Sequence, residues 1–317
     1  MLSGKGRSSS ATAERVNLAI EQLGYVRNLS ASILRGGESG LIGLIVRDLS
    51  QPFYAAMTAG LSEVLEQQGK VLVLTQSGQH GQNLQRCFDS LAAQGADGIV
   101  LGGAVAQAET LIAQAQEQQI ALICAARASS LDSVDSLRPD NSQAARIATE
   151  YLIRQGHQRI AWIGGLGSSL TRAERIGGYC ATLLQYGLPF RADWIIECDD
   201  RQQSVSALTQ NLLHHHPRIT AIIAHNASTT LGCYFGALHS GRSLGEDAVD
   251  SYFTQKMALV GFNDDPQRES YDSSLTFVSS EARDVGRRAA ERMLQRLAQP
   301  QAEVQTLIVA PRLVRGG

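Results

Sequence analysis

The residues best placed to do chemistry in this chain are polar or aromatic side chains that follow short apolar runs. Thr171 and Arg175 open a helical stretch after Gly164-Gly165-Leu166-Gly167-Ser168-Ser169. Arg175 offers a rigid fork of donors suited to paired hydroxyls or a carboxylate; the plainer alternative is a solvated surface salt bridge. Asn226 follows the run 220–224, and Asn263 and Asp264 follow the run 257–261. Phe53 and Tyr54 come just after Asp48-Leu49-Ser50-Gln51-Pro52. They either stack on a small ligand or close the hydrophobic core. Donors, acceptors and ring faces of this kind bind a ligand; they do not by themselves turn one over. The chain has no GxSxG elbow and no nucleophile–base pair, and the adjacent acids Asp199-Asp200 and Asp264-Asp265 have no evident partner for acid–base work. The glycines at 164–167 lack GxGxxG spacing, which argues against a dinucleotide site. His214-His215-His216 reads as a solvated helix end rather than a metal site, because consecutive helical residues do not face one another. We therefore expect a binding protein without catalytic residues, metal ligands or cofactor.

The elements that must hold these residues alternate regularly. Leu41 to Val46 is a short, β-branched apolar run and predicts a buried strand. A helix over 53–68 follows, with Met57, Leu61 and Leu65 on one face. Strands at 71–74, 98–101 and 120–123 then alternate with helical patterns. After residue 140 the alternation resumes: helix 144–154, strand 159–163, helix 172–186, strand 194–197, helix 204–214, strand 220–224, helix 228–239, strand 257–261. A last helix spans 282–297, and 304–309 reads as a strand. Such alternation predicts parallel sheets with right-handed crossovers. The fold class is α/β: two doubly wound parallel-sheet lobes in succession, with a ligand cleft at the carboxyl ends of their strands.

Ahead of the lobes lies a different kind of segment. Residues 11–23 carry apolar side chains at helical spacing, but too few to fold alone. The next stretch, 28–37, reads either as a linker or as a miniature helix. Asn28 can cap it, and Gly36-Gly37 can end it. It is too short to be stable in water unaided. Duplex DNA and a second copy of the same helix would support it. Ala31 would permit close approach, and Leu34 could wedge between base steps in the minor groove.

Composition narrows the field. The chain has 317 residues, 44% hydrophobic but only 5% aromatic, so its core must be aliphatic. A net charge of −2 excludes a general polyanion binder. The first 40 residues are mildly basic, with Lys5, Arg7, Arg15, Arg27 and Arg35 against Glu14, Glu21 and Glu38. Five scattered cysteines without a CxxC pair fit a reducing compartment. No signal-peptide pattern and no membrane-length apolar run is found. A cytoplasmic protein without membrane contact is expected.

Taken together, several stretches are similar to the LacI/GalR family of bacterial transcriptional repressors over essentially the whole chain. They are Arg15-Val16 through Tyr25-Val26-Arg27-Asn28, Ala31-x-x-Leu34, Ile42-Gly43-Leu44-Ile45-Val46 with Pro52-Phe53-Tyr54, Gly156-His157-Gln158-Arg159-Ile160-Ala161, Arg175-Ile176-Gly177-Gly178-Tyr179, and Val260-Gly261-Phe262-Asn263-Asp264. The resemblance implies a small, partial all-α DNA-binding headpiece over 1–27 and a hinge helix over 28–37. It implies periplasmic-binding-protein-like sensor lobes at 41–140 plus 280–302 and at 141–279 plus 303–317. Arg7, Asn28, Ala31 and Leu34 would then contact DNA. Phe53, Tyr54, Asp140, Thr171, Arg175, Asn226 and Asn263 would line the effector cleft. The partners implied are a palindromic operator, a small-molecule effector of sugar type, and a second copy of the chain. The implied function is repression of a sugar-utilisation operon; the alternative is a stand-alone sensor without specific DNA binding. Departures are visible: Arg27 replaces the usual proline, and Ala227 and Asn263 stand where acids are common, which points to an effector other than a simple hexose. Met1-Leu2-Ser3 falls near the end of where the base-reading helix would be. A start codon placed too late, or a shortened form, would account for that. Without that helix, phosphate and hinge contacts position a protein on DNA without specifying sequence.

Overall fold

The structure is a computed structural model that describes residues 38–78, 81–103, 108–126, 128, 133–244, 255–264 and 275–315. The expected helices at 11–23 and 28–37, with Arg7, Asn28, Ala31 and Leu34, lie outside the described residues.

The first lobe is a six-stranded sheet in the order β12-β5-β4-β3-β1-β2. Its strands are β1 (Leu41–Val46), β2 (Val71–Gln76), β3 (Gly98–Gly102), β4 (Ala121–Ala125), β5 (Asp135–Pro139) and β12 (Thr306–Val309). All the pairings are parallel. β1 and β3 are covered on both faces, which is why they read as unbroken apolar runs instead of alternating ones. Helices α1 (Pro52–Gln67) and α8 (Ala282–Ala298) belong to this lobe, as do α2 (Leu84–Ala93) and α3 (Ala108–Glu117). One apolar cluster gathers Phe53, Met57 and Leu61 with Val285 and Met293; a second gathers Phe88, Leu91 and Leu111. Gly60 and Gly286 let α1 and α8 touch backbone to backbone, since a Cβ on either would collide with Arg283 or Met57 main-chain atoms.

The second lobe repeats the plan. Its sheet runs β13-β11-β10-β8-β6-β7, with β9 (Arg242–Leu244) beside β10. The remaining strands are β6 (Ile160–Ile163), β7 (Ile195–Ile196), β8 (Ala221–Ala224), β10 (Gln255–Phe262), β11 (Thr276–Ser279) and β13 (Arg312–Val314). Only β13 is antiparallel among the described pairings of this sheet. Helices α4 (Asn141–Arg154) and α5 (Leu170–Gln185) cover one face, and α6 (Gln202–His215) and α7 (Ala227–His239) the other. Trp162 is fully buried there, against Tyr179 and Phe262.

The expected pair of doubly wound lobes is present, with one correction to their boundary. Residues 303–309 were expected in the second lobe, yet Thr306–Val309 pairs with β5 in the first. Only β13 crosses back to the second sheet. The lobes are thus joined at the β5–α4, β11–α8 and β12–β13 connections.

Candidate ligand cleft

The carboxyl ends of the two sheets are where a doubly wound fold binds its ligand, and three helices that begin there, α4, α5 and α7, have side-chain caps. Asp140 caps α4 by accepting a bond from the Gln143 amide at 2.8 Å. Ser169 caps α5 through Arg172 N at 3.3 Å. Asn226 caps α7 through Thr229 N at 2.9 Å, while its Nδ2 donates to Asp200 Oδ1 at 2.7 Å. Side chains of this type satisfy orphan amides of the first helical turn. Asp140 and Asn226 therefore hold helix starts in place, and Asn226 has both ends of its amide engaged.

Arg175 is the centre of the site. It lies one turn inside α5 and is only 4% exposed, so it is not a surface salt bridge. Its Nε donates to Asn141 Oδ1 at 3.1 Å, Nη1 to the His225 carbonyl at 2.7 Å, and Nη2 to Ser280 Oγ at 3.4 Å. The guanidinium lies 3.9 Å from the centroid of the Phe262 ring, in cation–π range. This one side chain thus reads the ends of β8 and β10, the start of α4 and the crossover into α8. Next to it in sequence, Glu174 accepts from Asn141 Nδ2 at 2.7 Å and from Arg138 Nη1 of β5 at 3.0 Å. The ion pair carries the first lobe's last central strand onto the second lobe's α5. On the other side of the crossover, Asp264 accepts from the Ser280 amide at 2.7 Å, and Arg312 pairs with Glu281 at 3.0 Å. Glu281 itself holds φ at +53°, an uncommon angle for a residue with a side chain.

The remaining candidates fall into place around this core. Thr171 is buried, one turn before Arg175. Asn263 is half-buried just past β10, its amide bonded to the Val278 carbonyl at 3.2 Å. Phe53 and Tyr54 pack in the first-lobe cluster, Phe53 fully buried and Tyr54 5% exposed. Asn141, Glu174, His225, Phe262 and Ser280 were not singled out in the sequence. The Asp140-Asn141 pair opening a helix, and the acid preceding Arg175, were the available signals.

A second cluster fixes where the chain enters the first lobe. Asp97 accepts from the Ser39 amide at 2.9 Å, the Ser39 hydroxyl at 3.1 Å and the Gly40 amide at 2.8 Å. Lys70 lies 3.6 Å from the same carboxylate and 2.6 Å from Glu38. Residues 38–40 are thereby held against the first lobe.

Comparison with known proteins agrees with this architecture. The family described as periplasmic binding proteins and sugar binding domain of LacI family matches residues 39–314. The maltose regulon regulatory protein MalI of Escherichia coli (strain K12) is 51% identical over 314 residues, covering 99% of this chain and 92% of its own length. Catabolite control protein A of Priestia megaterium is 26% identical, covering 90% of this chain and 83% of its own. Among solved structures, the transcriptional regulator CelR–cellobiose complex superposes with a TM-score of 0.73 at 26% identity, covering 99% of this chain and 92% of that one. The Lac repressor bound to ONPG superposes at 0.82 with 23% identity and 99% coverage of this chain, a likeness of fold. A family match across both lobes, and a relative of this identity along nearly the whole sequence, establish that the chain belongs to the LacI family.

Proposed function

We propose that this chain is a transcriptional repressor of a sugar-utilisation operon, holding a palindromic operator as a homodimer and changing its grip when a small sugar enters the cleft. The observation that carries the reading is Arg175: a buried guanidinium at the carboxyl ends of the strands, bonded to Ser280 on the crossover into α8. A hydroxylated ligand that draws its donors away from Asn141 or Ser280 alters the joint between the lobes. A ligand shifts such an equilibrium by its differential affinity for the two arrangements. The regulatory name of the MalI relative and the cellobiose bound to CelR support the same assignment. Thr171, Asn263 and the free oxygen of Asp140 are the further effector contacts, with Tyr54 at the first-lobe wall. On the DNA side, Arg7 and Asn28 serve the phosphate backbone, Ala31 the helix pairing and Leu34 the minor groove.

Catalysis has little to work with. Burial pushes the Cys198 thiol up to about 11 and the Cys233 thiol up to about 12, so neither is a ready nucleophile. Operator binding assigns the protein to the cytoplasm; no helix of the described residues is long and apolar enough to cross a membrane.

Two substitutions separate the halves of the proposal. With candidate disaccharides in a gel-shift and calorimetry series, Arg175→Ala is expected to lose sugar binding and the operator response while its circular dichroism spectrum still reports a folded protein. Leu34→Ala is expected to weaken operator binding at least tenfold with sugar affinity intact. Unchanged sugar affinity in the first, or unchanged operator affinity in the second, defeats that residue's assigned role.

A further inference from the structure

The second lobe carries a cavity at the pole away from the cleft, formed by the C-terminal ends of α6 and α7 and the N-terminal end of β10. Its volume is about 890 Å³, and its walls include Gln210, Asn211 and His214 of α6, His239 at the end of α7, Arg242 of β9 and Gln255 of β10. Small-molecule sites commonly span roughly 300–1,000 Å³. Among the described residues that line it, none is acidic.

Arg242 is the informative wall. It is 9% exposed, and its terminal nitrogens donate to Gln255 Oε1 and, at 2.7 Å, to the Pro217 carbonyl. Both acceptors are neutral, and among the described residues no carboxylate pairs with it. An arginine has five N–H donors, and these two bonds engage only two of them. A buried cation without a counter-charge is costly, and burial does pull this guanidinium's pKa down. The carbonyls ending α6 offset part of that charge but fill none of the cavity. His214 and His239 stand exposed on the same walls, where their ring nitrogens can hydrogen-bond an oxyanion.

We propose that this cavity binds a small phosphomonoester, its phosphoryl oxygens on Arg242 between His214 and His239, and its hydroxyls on Gln210, Asn211 and Ser240. One permanent cation with two imidazoles matches a group of nearly two negative charges at neutral pH better than it matches a monocarboxylate. The site is separate from the cleft and gives the protein a second metabolite input.

Calorimetry of the full chain with glycerol 3-phosphate tests it, with acetate as the competing anion. Saturable binding of the phosphate, at least tenfold tighter than acetate, is expected. It should survive Arg175→Ala, which places it outside the cleft. It should fall at least tenfold in Arg242→Lys, which keeps the charge but loses the fork. It should fall similarly in the double variant His214→Ala/His239→Ala, whose exposed positions leave the melting temperature unchanged. No saturable binding, equal binding of acetate, or full affinity in the double variant overturns the proposal.

Discussion

A single side chain can matter here because it is buried where elements meet. Arg175 was legible in the sequence from its type and from its place after a strand and a glycine run; its partners were not. Asn141 and Ser280 sit far from it in the chain, and only the folded sheet brings them within bonding distance. The same logic makes His157 a pH-sensitive position. Its ring is half-buried, with Nδ1 3.0 Å from Thr220 Oγ1. Burial first, and the charge of Lys256 second, hold its pKa below the ordinary imidazole value. In the unfolded chain it titrates near about 6.5. Between the folded and unfolded values the unfolded chain binds more protons, so stability rises with pH. The contribution is complete above the unfolded value and drains away as pH falls through the folded one. The melting temperature is therefore expected to drop on acidification below about 6.5, and His157→Asn, which cannot take up the charge, is expected to drop less. Parallel melting curves for the two proteins from pH 7 to pH 5 would remove His157 from the account.

At the scale of elements, apolar strands and amphipathic helices were readable because their pattern is local. β5 was not, for a physical reason. Asp135–Pro139 carries an aspartate, an arginine and a proline, yet Asp135 is only 1% exposed. Its carboxylate is answered by Arg292 at 2.8 Å, Arg296 at 2.8 Å and the Gln305 amide at 2.9 Å. A charged strand becomes a buried one only when α8 delivers the counter-charge, and no local window contains both. The placement of β12 escaped for a related reason, since a four-residue apolar strand pairs equally well with either sheet until its neighbours are known. α7 shows what an element leaves unsatisfied. Gly232, Cys233, Gly236 and Ala237 face the core, while Leu231, Phe235 and Leu238 are 46%, 37% and 41% exposed along the other side. Their spacing puts them on one helical stripe, and an exposed apolar stripe marks an association surface. A second copy of the chain is its expected occupant. A two-fold interface meets each residue twice, and truncating a buried leucine or phenylalanine loses about 1.5–3 kcal/mol. Leu231→Ala with Phe235→Ala should therefore raise the dimer dissociation constant by at least about 100-fold at roughly 1.4 kcal/mol per tenfold. Sedimentation velocity across a dilution series reads this directly; a double variant that stays dimeric at the same concentrations moves the interface to another face.

On the proposed function, the connections between the lobes are where sensing and DNA binding meet across the whole molecule. Two lobes in sequence could be anticipated from the repeated alternation. That a chain of contacts, Arg138–Glu174–Asn141–Arg175–Ser280, would lace the joint could not, because each contact pairs residues from different elements. Glu174 is the link that spans the lobes: its side chain is 20% exposed and that of Arg138 is 21%. An ion pair with both side chains largely buried carries a desolvation cost that offsets much of its attraction, and its place between the lobes lets it bias one arrangement of them over the other. Linkage demands reciprocity: the factor by which sugar changes operator affinity equals the factor by which operator changes sugar affinity. For coupling of the usual size, about 1–3 kcal/mol, that factor is roughly 5–150-fold. Glu174→Gln keeps an acceptor for Asn141 and removes the charge that holds Arg138. It is expected to lower the melting temperature, because Arg138 loses its counter-charge in a largely buried setting, and to shrink the coupling factor several-fold, equally in both directions. Fluorescence anisotropy of labelled operator with and without sugar gives one side, and sugar calorimetry with and without operator gives the other. If the two factors agree with each other but match those of the unsubstituted protein, the lobes communicate by another route, and the Asp264–Ser280 contact at the opposite crossover becomes the position to change next.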